Sequence, residues 1–122
     1  MDCVLVIDDD PSLLHSFTQV LQAYQIPITT ARDGHEALAA FRWYSPGVVL
    51  TDILVPERYR TALAMRSIRP ATKVVAMSDG AGVVRSEFIT IAKRFGADAI
   101  VHKPFDVSDL VKLLRTFVQR RH

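Results

Sequence analysis

The sequence predicts an α/β domain, a doubly wound parallel sheet of five strands with helices on both faces. Two observations predict it. Short β-branched runs lack strict alternation of apolar and polar residues, as strands covered on both sides do, and stretches of helical period lie between them. Strand then helix, repeated five times, calls for right-handed crossovers and a helical layer on each face of one sheet.

The first run is Val4–Ile7, and Leu14, Phe17, Leu21 and Tyr24 follow it at helical spacing, a stripe able to cover one sheet face. Residues 26–30 form a weaker second run, whose Pro27 cannot donate to a ladder and therefore belongs on an edge strand. Ala37, Leu38 and Phe41 mark the second helix, Val48–Thr51 the third strand, and Leu63 and Ile68 the third helix. Residues 74–77 and 99–101 supply the last two strands. Phe88, Ile91, Ala92 and Phe95 line the fourth helix, and Leu110, Leu113, Leu114, Phe117 and Val118 the fifth, with Asp106 and Ser108 as candidate caps. Trp43 and Tyr44, beside the loop before the third strand, are expected to pack at the bottom of the sheet, and Cys3 to be a small buried residue.

A length of 122 residues suits one domain, taken as residues 1–122, with no internal repeat, linker or low-complexity segment. Apolar residues make up 49% and charged residues 23%, which excludes the disorder signature of low hydrophobicity with high charge. With 15 basic and 13 acidic residues the formal charge is only +2, so no field for direct nucleic-acid binding is implied, and the basic tail at 119–122 reads as a solvated helix end. One cysteine excludes an internal disulfide and is compatible with a reducing compartment. No apolar stretch approaches the roughly 18 residues a membrane span needs, and Met1-Asp2 opens onto a strand without a basic leader. A cytoplasmic chain without a membrane partner is expected.

Ligands of open sheets sit beyond the carboxyl ends of the strands. Four strands end in polar residues: the first in Asp8-Asp9-Asp10, the third in Asp52, the fourth in Ser78-Asp79, the fifth in His102-Lys103-Pro104. If the strand order is 2-1-3-4-5, the first and third ends flank the crossover and bring Asp8, Asp9 and Asp52 together. Converging carboxylates repel, so they call for a counter-ion, and an all-oxygen set suits a hard divalent ion such as Mg2+. Lys103 would place a positive charge opposite that ion and Ser78 a hydroxyl donor, an electrostatic clamp for a phosphoryl group. Each residue also has a plainer reading. Asp8-Asp9-Asp10 before Pro11 suits a turn and helix cap, Ser78-Asp79 a turn before Gly80, and Lys103 a solvated strand end. The histidines His15, His35, His102 and His122 lack metal-ligand spacing and receive no role.

The whole chain resembles a receiver domain of two-component response regulators, a chemotaxis-regulator-like protein with a flavodoxin-like (βα)5 fold of strand order 2-1-3-4-5. Four segments in order carry the likeness: Val4-Leu5-Val6-Ile7-Asp8-Asp9-Asp10, Leu50-Thr51-Asp52-Ile53-Leu54-Val55-Pro56, Met77-Ser78, and Lys103-Pro104-Phe105. The resemblance implies that Asp52 is the phosphoacceptor and that Asp8, Asp9, Asp52 and the backbone carbonyl of Leu54 hold Mg2+. It implies too that Ser78 and Lys103 bind the phosphate and that the bond between Lys103 and Pro104 is cis. The function implied is a phosphorylation switch, not an enzyme beyond its own phosphorylation and dephosphorylation. Its donor would be a histidine kinase or histidine phosphotransfer protein, and its readout a downstream target or output domain.

Two other readings compete. Asp8-x-Asp10 after a strand resembles the nucleophile motif of haloacid-dehalogenase-type phosphohydrolases, in which Asp8 would carry the phosphoryl group. Against this, Pro11 and Ser12 replace the usual glycine and threonine, and Asp106 and Asp109 are better explained by a helix N-terminus. The other alternative is a receiver-like scaffold that takes no phosphoryl group.

Within the receiver pattern the chain departs at three places. Ile100 stands where a tyrosine or phenylalanine ring usually swings on activation, and Asp79 replaces a small alanine after the hydroxyl residue. Glu57-Arg58-Tyr59-Arg60 replaces a glycine-bearing stretch, adding two cations beside the acceptor that could attract a partner or the phosphate. With no ring at position 100, switching is expected to rely on the loop at 78–83, helped by Gly80 and Gly82.

Overall fold

The computed structural model describes residues 3–53, 56–78, 85–102 and 105–118. Five strands and five helices alternate among them: β1 (Val4–Ile7), α1 (Pro11–Ala23), β2 (Ile28–Ala31), α2 (Gly34–Tyr44), β3 (Val48–Thr51), α3 (Pro56–Ile68), β4 (Lys73–Ser78), α4 (Arg85–Phe95), β5 (Ala99–His102) and α5 (Val107–Val118). The sheet is parallel in the order β2-β1-β3-β4-β5. β2 is the predicted edge strand, and Pro27, just before it, offers only its carbonyl, which accepts the N–H of Val4.

Strand alternation sorts the core into two layers. Val4, Val6, Val48, Leu50, Val75, Met77 and Val101 face Leu14, Phe17 and Leu21 of α1 and Leu110, Val111 and Leu114 of α5. On the other face Leu5, Ile7 and Val49 meet Ala37 and Phe41 of α2 and Met65 of α3, while Val74 and Ala76 meet Phe88, Ala92 and Phe95 of α4. β1 and β3 are buried along their whole length, which is why their sequences do not alternate. Among the described residues no helix is long and apolar enough to cross a membrane.

Helix starts follow the sequence signals. Asp10 caps α1 by accepting the N–H of Ser12, with Pro11 in the first turn, and Asp106 caps α5 by accepting the N–H groups of Ser108 and Asp109. At α2, Asp33 accepts the N–H of Glu36, and Glu36 reaches back to the N–H and guanidinium of Arg32. That guanidinium holds the Glu36 carboxyl below its ordinary range.

Several packing expectations are corrected. Leu63 and Ile68 are exposed, and α3 buries Thr61, Ala62 and Met65 instead. Trp43 is 81% exposed and Tyr44 also faces outward. α2 ends there, at Ser45 in the left-handed region with φ 50°, and Phe41, under the guanidinium of Arg69, already fills the place beside the sheet. Tyr24 caps α1 on the surface with Arg115 over its ring, Ile91 faces outward from α4, and Cys3 is half-buried.

Candidate functional site at the carboxyl edge of the sheet

Register sets the geometry. Ile7 of β1 pairs with Thr51 of β3, so Asp8 and Asp52, one residue further on, leave neighbouring strands level with one another, about 4.8 Å apart in a parallel sheet. Both continue the strand parity of the face covered by α1 and α5. Thr51 pairs in turn with Ala76 of β4, which sets Ser78 two residues beyond that level, paired with His102 of β5. The sheet order that places β1 beside β3 makes this the crossover point, where chains depart to opposite faces.

Local bonds fix the first acidic run. Asp8 is 8% exposed and accepts the N–H of Asp10 at 2.9 Å, and Asp10 in turn accepts the N–H of Ser12 at 2.9 Å. The plain turn-and-cap reading of this run therefore holds, alongside whatever else these carboxylates do. Asp9 stands between them with its side chain 84% exposed, and its Oδ1 lies 3.5 Å from a guanidinium nitrogen of Arg58. Asp52 is half-buried just past β3, and Ile53 after it is sealed in the layer beneath α3 and α4. Ser78 ends β4 at 5% exposure.

Several expected site features fall outside the described residues: Leu54, Asp79, Gly80, Gly82, Lys103, Pro104 and most of the loop at 78–83. Ile100 is half-buried against the layer containing Phe88 and Phe95, and His102 meets the ring of Phe88 edge-on at 5.5 Å between centroids. The ring occupying the space under α4 thus belongs to the helix rather than to β5.

The donor chemistry fits a hard cation, since Asp8, Asp52 and Ser78, described residues brought to this edge, offer oxygen. Among the described residues no three His, Cys, Asp or Glu side chains are drawn together closely enough to hold a metal ion by themselves. Two level carboxylates nevertheless match magnesium, which is usually held by one or two carboxylates and keeps several waters.

A family model described as the response regulator receiver domain matches residues 4–115. The chain belongs to that family. Membership favours the receiver over the dehalogenase-type reading of the chain. This receiver is 33% identical over 119 residues to the probable transcriptional regulatory protein TcrX of Mycobacterium tuberculosis, covering 96% of this chain and 50% of that protein. It is also 33% identical over 122 residues to the DNA-binding response regulator MtrA of Mycolicibacterium smegmatis, with 96% and 50% covered. The chain therefore spans about half the length of these relatives. Among solved structures, the Vibrio cholerae chemotaxis protein CheY4 superposes with a TM-score of 0.81 at 26% identity, over 96% of this chain and 98% of that one. A CheY-like receiver domain protein from Methanospirillum hungatei shares the fold, with a TM-score of 0.83 at 24% identity over 98% and 95% of the two chains. The chain is a receiver module of two-component signalling.

One site residue had only a partial signal in the sequence. Arg58 was visible as a cation in place of a flexible loop, but its seat beside Asp9 was not.

Proposed function

We propose that this receiver is a phosphorylation switch that takes a phosphoryl group on Asp52. A carboxylate oxygen of Asp52 attacks phosphorus, the bond from phosphorus to the donor's histidine nitrogen breaks, and the leaving imidazole takes a proton from solvent. The observation that supports this most is the level exit of Asp8 and Asp52 from neighbouring strands at the crossover. Asp8, Asp9, Asp52 and the Leu54 carbonyl would hold Mg2+, which supplies positive charge against the phosphoryl oxygens. Ser78 donates its hydroxyl to the phosphoryl group and Lys103 its ammonium, so that the two bind the phosphorylated state differentially and shift its population. Self-phosphorylation from small phosphodonors and self-dephosphorylation by water are the only reactions assigned to the chain itself.

Residues 1–122 act as one receiver domain in the cytoplasm, charged by a histidine kinase or phosphotransfer protein. The domain passes its state to a protein target or an output domain and makes no direct contact with nucleic acid or membrane. The relatives named as DNA-binding or transcriptional regulators favour an output domain of that kind in the intact protein.

The test is addition of beryllium fluoride with magnesium chloride, a stable phosphoryl mimic, while amide spectra are recorded. Wild type should shift at Asp52, Ile53 and Ser78, and Asp52→Asn should not. Equal shifts in both proteins would refute the assignment of Asp52.

A further inference from the structure

We propose that Arg58 is a resident counter-cation of this site, holding Asp9 until a divalent metal displaces it and thereby setting the metal affinity. The inference rests on the proposed metal reading of Asp8, Asp9 and Asp52 and adds a competitor within the chain.

The two partners are unequally placed. Arg58 keeps only 11% of its side chain exposed, whereas Asp9 keeps 84%. A guanidinium stays charged at any ordinary pH, so one that is mostly withdrawn from water needs acceptors close by, and the Asp9 carboxylate at 3.5 Å is one. The guanidinium is thus the seated member, and the carboxylate comes to it.

The turn that carries Arg58 is fixed from its other side. Glu57, its neighbour in the first turn of α3, accepts the N–H of Gly34 at the start of α2 at 3.3 Å, and the Glu57 carbonyl accepts the Thr61 hydroxyl at 2.9 Å. A Cβ at position 34 would lie 2.5 Å from Thr61 Oγ1, so the absence of a side chain there is what lets the two helix starts approach. With α3 docked in this way, Arg58 is presented to the β1 end by rigid helix rather than by a glycine-rich loop.

On the opposite side, Asp8 and Asp10 are each committed to a backbone N–H of their own turn. Asp9 meets the Arg58 guanidinium across the site. A metal ion that recruits Asp9 must break this ion pair, and it also meets the like charge of the guanidinium. Both effects weaken binding, and the pair is solvent-screened on the Asp9 side, so removal of the guanidinium should tighten binding by about two- to fivefold.

The experiment uses the full chain and magnesium chloride at fixed ionic strength, read by the amide shifts of Asp9 and Asp10 and by the Arg58 Nε–H resonance. Arg58→Gln should lower the dissociation constant about two- to fivefold, and in wild type the Arg58 resonance should move with the same midpoint as the Asp9 amide. Unchanged or weaker binding by Arg58→Gln, or an Arg58 resonance that ignores the metal, would overturn the inference and leave the metal site standing. Absence of metal-dependent shifts in both proteins would overturn the metal reading and this inference with it.

Discussion

Phe88→Ala should cost about 3–5 kcal/mol of folding stability, a large share of the roughly 5–15 kcal/mol available to a domain. Phe88 is fully buried in the layer formed by Ile53, Ala62, Val74, Ala76, Ala92 and Phe95, and its ring also meets His102. Truncation removes a ring that the surrounding strands and helix cannot collapse to replace, so a cavity penalty adds to the lost transfer free energy. The effect should reach the site as well. Ile53 directly follows Asp52, Ala76 lies two residues before Ser78, and His102 ends β5 just before Lys103. Urea denaturation checks the stability loss, and a loss below about 1 kcal/mol would show that the layer repacks around the missing ring.

Asp9→Ala should lower phosphoryl uptake by roughly a hundred- to a thousandfold while leaving the fold intact. A metal charge that offsets several kcal/mol of transition-state charge corresponds to that range of rates. Stability should change little. Removing one of several converging carboxylates relieves some repulsion, but Asp9 is exposed and paired with Arg58. Loss of that pair should cost well under about 1 kcal/mol, offsetting any relief. The rate of uptake from acetyl phosphate under excess magnesium is the measurement, and uptake at the wild-type rate would remove Asp9 from the metal site.

The central strands β1 and β3 were the most legible part of the fold because burial on both faces leaves short β-branched runs without alternation. β4 extends beyond the expected run at both ends. Lys73 joins it by donating its N–H to the Gly47 carbonyl, a pairing its side chain does not advertise, and Ser78 prolongs it as a polar residue. α3 was misread for a related reason: its two largest aliphatic residues, Leu63 and Ile68, face outward, and close packing selects Thr61, Ala62 and Met65. Trp43 and Tyr44 misled in the same way, since size favours burial only where the helix still touches the sheet, and α2 ends with them.

At the carboxyl edge, the positions of Asp8, Asp52 and Ser78 were legible because each directly ends an apolar strand run, and the register sets Asp8 and Asp52 level. The partner of Asp9 was not. Its pairing with Arg58 depends on how α3 docks through Glu57 on Gly34, a contact between elements distant in sequence. The ring beneath α4, by contrast, was legible, since Phe88 lies on the apolar stripe of that helix. Ile100 on β5 packs half-buried against the layer that contains Phe88, whose ring meets His102.

The identity of the acceptor is tested by mass-spectrometric mapping after the full chain is incubated with acetyl phosphate and magnesium chloride and the acyl phosphate is trapped by borohydride reduction. The modified residue should be Asp52, and none should be found when magnesium is chelated. Modification at Asp8, or no modification under any condition, would contradict the account.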